Sequence, residues 1–123
     1  MPDVVSPEDQ VREVFAALDA LDVPAMAALV SDDVRMRFGN GDLVEGREAF
    51  VQAGEAFAAS IAGIRHEVHT LRVVDDAVIA EMDVHYKRLD GGELTLPCCN
   101  TFRVRDGLIV DYRIYMDITP LYA

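Results

Sequence analysis

The chain has 123 residues, 51% hydrophobic and 27% charged, a balance typical of a single globular domain over residues 1–123. Its formal net charge of -11 repels phosphate backbones and anionic lipid headgroups, so neither nucleic acid nor a membrane is an expected partner. We expect a cytoplasmic protein, because the sequence shows neither a secretory leader pattern nor an apolar run long enough to span a bilayer.

The first thirty residues predict two helices. Ser6 can cap the first helix, and Pro7 suits its first position. Apolar residues then recur at helical spacing and predict one buried stripe: Val11, Val14, Phe15 and Leu18. Asp22 can cap a second, short helix that continues to Val30.

A strand, a turn and a third helix are predicted next. Residues 34–38 alternate apolar side chains with arginine, which is the period of a half-buried strand. The turn cluster at residues 39–42 leads into a short return strand at residues 43–44. A third helix follows Gly46 and is expected to end at Gly63. Its apolar face is marked by Phe50, Ala53, Phe57 and Ile61.

From residue 64 onward the helical period disappears. Turn signals at residues 75–76, 90–92 and 106–107 divide the remainder into four strand-length runs, an antiparallel meander. Pro97 lacks a backbone donor and predicts a bulge or bend in the third of these strands. Helices on one face of such a sheet define an α+β architecture.

Two adjacent cysteines lie in that third strand. Successive side chains of a strand point to opposite faces, so a bridge between Cys98 and Cys99 would be badly strained. We expect both to be free thiols.

The second meander strand separates two faces cleanly. One face is apolar: Val78, Ala80, Met82, Val84 and Tyr86. The other is mostly polar: Ile79, Glu81, Asp83, His85 and Lys87. The polar set either faces water, as in an ordinary one-sided sheet, or points into a pocket.

Four short segments carry a family resemblance. They are Ser-Asp-Asp-Val at 31–34, Gly-Arg-Glu-Ala-Phe at 46–50, Phe-Arg-Val-Arg-Asp-Gly-Leu-Ile at 102–109 and Tyr-Arg-Ile-Tyr-Met-Asp at 112–117. Taken in order with the predicted elements, the chain resembles the NTF2-like superfamily, in particular its SnoaL-like and limonene-epoxide-hydrolase-like branches. The resemblance implies an NTF2-like (cystatin-like) cone, in which a curved, mostly antiparallel sheet and about three N-terminal helices enclose a pocket.

The catalytic sets of two such enzyme groups are not retained. Matched to the epoxide hydrolases, Asp83 stands at the first Asp, but Glu81 replaces the Arg and Ile114 replaces the second Asp. Matched to the ketosteroid isomerases, Phe38 and Val14 fall where a base and a Tyr are expected. Asn100 alone keeps a chemically suitable group, an amide that can donate to a carbonyl or enolate oxygen.

SnoaL-like cyclases use acid-base chemistry with a pocket carboxylate and no metal or organic cofactor. The resemblance implies that the polar set of the second meander strand points into the pocket. Asp83 is then the expected base, with His85 or Glu81 as its proton partner and with Asn100 and Tyr112 as polarising donors. The predicted activity is isomerisation, cyclisation or hydration of a small, apolar, oxygen-bearing molecule. The alternative is a non-catalytic ligand-binding or interaction domain.

The expected pocket wall is largely apolar. Its predicted members are Phe15, Met36, Phe38, Phe57, His66, Ile114 and Met116. His66 shares a strand face with Ile64 and Val68, while His69 lies on the opposite face; a structural role for His66 is the alternative. No metal site is predicted, because alternate strand residues alone supply too few ligands.

A homodimer is also expected. If the polar set faces the pocket, the apolar set forms a strip on the convex face of the sheet, where a second copy would cover it. The predicted contact residues are Val78, Met82, Val84 and Tyr86.

Overall fold

The computed structural model describes residues 6–123, which form four helices and six strands. In chain order these are α1 (Pro7–Asp19), α2 (Val23–Ala28), β1 (Val30–Phe38), β2 (Val44–Glu45), α3 (Arg47–Ala59), β3 (Gly63–Val74), β4 (Ala77–Lys87), β5 (Glu93–Arg105), β6 (Leu108–Tyr115) and α4 (Thr119–Tyr122). The short α4 was not predicted from the sequence. The α+β class is confirmed.

Side-chain caps are present at the start of the first two helices, as predicted. The Oγ of Ser6 accepts a hydrogen bond from the backbone N–H of Asp9 at 3.1 Å. The Oδ1 of Asp22 accepts one from the backbone N–H of Ala25, also at 3.1 Å. Each bond satisfies a donor that the helix leaves unpaired, which explains why these helices begin where they do.

The third helix begins where predicted but ends before Gly63. Its last residue is Ala59, and Ser60 follows as the C-cap. The Ser60 hydroxyl donates to the backbone oxygen of Phe57 at 2.7 Å, a local bond that competes with a further helical turn. Ile61 therefore lies outside α3, although it is buried.

The six strands form one sheet in the order β2-β1-β6-β5-β4-β3. β1 runs parallel to β6, and all other neighbouring strands in this sheet are antiparallel. β3 to β6 are the predicted meander. Pro97 pairs with Asp83 in unbroken register, so the bulge predicted there is absent. The register shifts lie instead in the β3–β4, β5–β6 and β1–β6 pairings.

The sheet is curved, and the first three helices cover its inner face. α1 packs on β3 to β6, and α3 packs on β1 and β2. Side chains on the covered face leave water almost completely: Val78, Val84 and Phe102 are at most 1% exposed. The alternate side chains of the same strands make up an outer face that remains in contact with solvent.

Aromatic contacts attach α1 to the sheet. The ring of Phe15 meets Phe102 edge-on with centroids 5.7 Å apart, and Phe102 stacks on Tyr112 at 4.5 Å. Aromatic pairs of this kind contribute about 0.5–1.5 kcal/mol beyond the burial of their surface. They hold the end of α1 over the strands that carry the polar groups described next.

Candidate active site

A cavity of about 270 Å³ lies between the inner face of the sheet and the helices. All six strands and the first three helices contribute to its wall, which is predominantly apolar. Polar groups are few: His66, Tyr86, Asn100, Tyr112 and the rim residue Asp42. The described lining residues include no Lys or Arg. An apolar wall with a few convergent polar groups is the usual form of a small-molecule site.

His66 and Asp19 form a hydrogen-bonded pair at the wall of this cavity. Asp19 is the last residue of α1, and His66 lies on the edge strand β3. The Oδ1 of Asp19 accepts the backbone N–H of His66 at 3.0 Å and lies 2.6 Å from the ring Nδ1. The two contacts together fix both the strand and the imidazole against the end of the helix.

The surroundings of His66 select one tautomer. Because a carboxylate only accepts hydrogen bonds, Nδ1 is the donor of this contact, and in the neutral imidazole Nε2 is the nitrogen that carries the lone pair. The side chain is only 6% exposed, and its ring stacks on Phe15 with centroids 4.9 Å apart. His66 is thus a buried imidazole that lines the cavity and is held in orientation by a carboxylate.

Asn100 contributes an amide to the same cavity. It is 1% exposed and lies on β5, opposite Ala80 of β4 and Ile114 of β6. Its Oδ1 accepts the Cys98 thiol at 3.1 Å. Burial raises the pKa of Cys98 to about 12, so the thiol keeps the proton that it donates. The Asn100 Nδ2 has no hydrogen-bond partner within residues 6–123 and is the free donor of this side chain.

Tyr86 and Tyr112 add two hydroxyl groups. Burial raises the pKa of both above the ordinary value, so both stay neutral donors. The Tyr86 hydroxyl donates to the sulfur of Met116 at 3.4 Å. The Tyr112 hydroxyl makes no hydrogen bond to the described part of the chain. A base and several neutral donors on different strands therefore line one cavity, an arrangement suited to proton transfer at a substrate that carries an oxygen.

The family of the chain follows from a match over most of its length. A family model described as the SnoaL-like domain matches residues 11–112. This chain belongs to the SnoaL-like domain family. The resemblance stated from the sequence is confirmed, and a search of curated proteins finds none that matches the chain.

Solved structures share the fold of this SnoaL-like domain. An NTF2-like protein of unknown function from Burkholderia pseudomallei has a TM-score of 0.84 at 18% identity, covering 94% of this chain and 93% of that one. A putative SnoaL-like polyketide cyclase from a Jannaschia species has a TM-score of 0.83 at 16% identity, covering 99% and 92%. An LEH-like epoxide hydrolase from Mycobacterium tuberculosis has a TM-score of 0.81 at 19% identity, covering 94% and 86%. These similarities confirm the NTF2-like fold and nothing finer.

Most of the predicted wall residues of the SnoaL-like domain do line its cavity. They are Met36, Phe38, Phe57, His66, Ile114 and Met116, together with the predicted donors Asn100 and Tyr112. Phe15 does not line the cavity; it lies behind His66 and supports the ring. Their roles toward a ligand remain predictions.

The expectation that Glu81, Asp83 and His85 point into the pocket is wrong. The apolar side chains of β4 are the ones that face the helices, and they are 0% to 4% exposed. Since strand side chains alternate, the polar set is placed on the outer face. There, Asp83 pairs with His69, its Oδ2 lying 2.9 Å from the histidine Nε2.

The outer polar side chains form a connected row across three strands. His85 lies between Thr95 and Glu67, with its Nδ1 and Nε2 each 2.7 Å from an oxygen of these neighbours. The hydrogen bond with His85 lowers the pKa of Glu67, and the hydrogen bond with Asp83 raises the pKa of His69. These shifts belong to solvent-exposed pairs on the outside of the cone, away from the cavity.

The burial of the β4 apolar set also corrects the predicted dimer contacts. Val78, Met82, Val84 and Tyr86 are at most 4% exposed within one chain, so they cannot meet a second copy. Two of them, Val84 and Tyr86, line the cavity instead.

Sequence reasoning missed Asp19. In sequence it is an acidic residue near the end of a helix, 47 positions from His66, and only the packing of α1 on β3 brings the two together. The adjacent thiols of Cys98 and Cys99 are free, as predicted.

Two kinds of feature are absent from residues 6–123. No three His, Cys, Asp or Glu side chains in that range are arranged to hold a metal ion. None of its helices is long and apolar enough to cross a membrane.

Proposed function

We propose that this SnoaL-like protein binds a small, uncharged, oxygen-bearing molecule in the cavity and transfers a proton to or from it. One observation carries the proposal: the His66 imidazole, whose Nδ1 is held by Asp19, lines an apolar cavity. Positioned general acid-base groups accelerate proton transfers by about 10²–10⁴-fold. Isomerisation, cyclisation and hydration all proceed through such transfers.

The neutral donors support the same chemistry. Removing a proton next to a carbonyl leaves negative charge on oxygen, and an enolate is stabilised by hydrogen-bond donors placed before it forms. The Asn100 amide and the Tyr112 hydroxyl are free to donate in this way, and neither brings a charge. Asp83, expected from sequence to be the base, faces solvent, so His66 takes that role in the proposal.

A generic carbon acid tests the base without knowledge of the natural substrate. Nitrobenzisoxazole is a neutral aromatic compound; a base removes its ring C–H proton, the N–O bond breaks, and the bond electrons remain on oxygen as a coloured phenolate. His66 Nε2 would take the proton, while Asn100 and Tyr112 would donate to the phenolate. We expect the protein to accelerate this elimination, and His66→Ala to lower kcat/KM by about a hundredfold.

Asp19→Asn and Asp83→Asn form a matched pair of variants. Asp19→Asn weakens the orientation and basicity of His66 and should lower kcat/KM about tenfold. Asp83→Asn removes an identical group from the outer face and should leave the rate unchanged. Circular dichroism and melting temperature verify that each variant folds.

The outcomes separate catalysis from binding. Loss of activity in Asp83→Asn together with retention in His66→Ala would overturn the assignment. A protein that binds nitrobenzisoxazole but turns it over no faster than free imidazole at equal concentration would be the non-catalytic binding domain that is the alternative reading.

A further inference from the structure

Cys98 and Asn100 form a small polar group in the apolar wall of the cavity. Both lie on β5, and because strand side chains alternate, residues two positions apart share one face, here the inner one. Cys98 is 8% exposed and Asn100 is 1% exposed, so both are largely removed from bulk water. The Sγ of Cys98 lies 3.1 Å from the Oδ1 of Asn100. An amide oxygen has no proton to give, so the thiol is the donor of this hydrogen bond.

This contact decides which end of the Asn100 amide faces the ligand space. A primary amide has an accepting oxygen at one end and an NH₂ group, which donates, at the other. Within residues 6–123 the Nδ2 of Asn100 has no hydrogen-bond partner, yet it is not sealed in protein, since the one sealed side-chain nitrogen or oxygen there without a partner is Arg47 Nε. With Oδ1 on the Cys98 side, Nδ2 therefore borders the cavity that Asn100 lines.

An amide at this place costs stability as long as no ligand meets it. Its neighbours across the strands are Ala80 and Ile114, both apolar and both at most 9% exposed. A buried donor without a partner is unfavourable, and native proteins rarely keep one without a functional reason. A ligand atom that accepts a hydrogen bond would satisfy Nδ2. The Tyr112 hydroxyl, on the neighbouring strand β6, is a second donor in the same wall.

We propose that Cys98 is a positioning residue whose thiol holds the Asn100 amide with Nδ2 toward the ligand, so that the cavity selects a carbonyl compound over the corresponding alcohol. This role rests on the proposed function, which assigns an oxygen-bearing ligand to the same cavity. A carbonyl oxygen only accepts hydrogen bonds and matches Nδ2. An alcohol also accepts, but its own O–H then needs an acceptor, and the Asn100 Oδ1 is turned toward Cys98. A reversed amide would offer Oδ1 to the ligand and favour the alcohol.

Acetylnaphthalene and naphthylethanol test this selection, because they share one uncharged aromatic body and differ in carrying a ketone or a secondary alcohol. Isothermal titration calorimetry of the unmodified chain should give a dissociation constant about tenfold lower for the ketone. Cys98→Ala removes the thiol donor and frees the amide to rotate, so the ratio of the two constants should fall to about one. Cys98→Ser places a hydroxyl donor at the same position and should restore most of the preference.

A spectroscopic signature and two control variants separate orientation of the amide from a merely structural effect. The infrared carbonyl stretch of the bound, isotope-labelled ketone should lie at lower frequency in the unmodified chain and in Cys98→Ser than in Cys98→Ala, because a hydrogen bond weakens the C=O bond. Cys99 is the adjacent free thiol on the opposite face of β5, so Cys99→Ala should leave both dissociation constants unchanged. Asn100→Leu removes the amide and should abolish the preference although Cys98 is present. Melting temperatures verify that each variant folds.

Two results would overturn the role of Cys98. They are equal affinity of the unmodified chain for the ketone and the alcohol, and a preference for the ketone that Cys98→Ala leaves intact. Failure of both compounds to bind would overturn the proposed function as well, because the cavity would then not take an uncharged, oxygen-bearing molecule. A preference that depends on Cys98 in a chain that does not accelerate the elimination of nitrobenzisoxazole would refute catalysis by His66 alone, so the two failures are distinguishable.

Discussion

At the scale of single residues, the outer pair of His69 and Asp83 gives a direct test of local electrostatics. The hydrogen bond to the Asp83 carboxylate raises the pKa of His69 above 6.5. Asp83→Asn removes the negative charge but keeps the size, so the pKa of His69 should fall toward its ordinary value. NMR titration of the imidazole C–H resonances measures it. Asp19→Asn is the control, because Asp19 contacts His66 and not His69; an unmoved His69 in Asp83→Asn would contradict the assigned pair.

The shifted pKa values of His69 and Glu67 predict how the free energy of unfolding changes with pH. Because the pKa of His69 is higher in the folded than in the unfolded chain, its pairing stabilises the fold below the unfolded pKa and is lost as pH rises through the folded pKa. Glu67 behaves oppositely: its pKa is lowered, so its contribution is present above its unfolded pKa and is lost as pH falls through the folded one. Both side chains are about half exposed, so solvent screens the two effects and keeps them small.

At the scale of elements, α3 contains a glycine whose replacement should stabilise the fold. Gly54 lies inside the helix, where glycine costs about 0.5–1 kcal/mol relative to alanine. A Cβ at this position would lie 3.6 Å from Val23 Cγ1 and 3.8 Å from Met26 Cε, which is ordinary packing. Gly54→Ala should therefore raise the free energy of unfolding by about 0.5–1 kcal/mol, as measured by urea denaturation.

Gly46, which precedes α3, is the matched control. It has a φ of 91° and a ψ of 153°, a region of backbone conformation that is nearly restricted to glycine. The nearest atom to a Cβ there is Asp32 O at 3.8 Å. An alanine side chain would therefore fit, and its cost would come from the backbone conformation alone. Gly46→Ala should lower the free energy of unfolding by about 1–3 kcal/mol. If Gly54→Ala and Gly46→Ala changed the free energy of unfolding by similar amounts, backbone conformation would not be what distinguishes the two sites.

Local signals explain what could be predicted about these elements. Caps such as Ser6 and Asp22 act within three residues, and turn residues act within four, so they are readable from sequence. Which face of β4 is buried is not decided by a local signal in the sequence. Alternation shows that the strand has two faces, but only the docking of α1 and α3 decides which face is inside. The sequence therefore predicts the wrong side of β4 for the Asp83 carboxylate and gives no signal for the role of Asp19.

At the scale of the whole molecule, curvature of the sheet and placement of the helices define the cavity. The element order and the family segments were sufficient to predict a cone with a pocket, and the pocket wall at Phe38, Phe57 and Met116 was found correctly. The chemistry could not be predicted in the same way, because the pairing of His66 with Asp19 joins two elements distant in sequence.

The net charge of -11 and the absence of Lys and Arg from the described lining together predict that the cavity discriminates against anions. The described lining holds one carboxylate, Asp42, and no Lys or Arg to pair with a negative ligand. N-phenylnaphthylamine and anilinonaphthalene sulfonate share one aromatic body and differ by a sulfonate. Their fluorescence on binding should show that the neutral compound binds about tenfold more tightly or better, since an unpaired buried charge is costly. Added salt should reduce this difference in affinity, because it screens the long-range repulsion between the acidic protein and the anionic dye. Equal affinity at low salt would mean that an unrecognised positive group faces the cavity and would contradict the uncharged-ligand proposal.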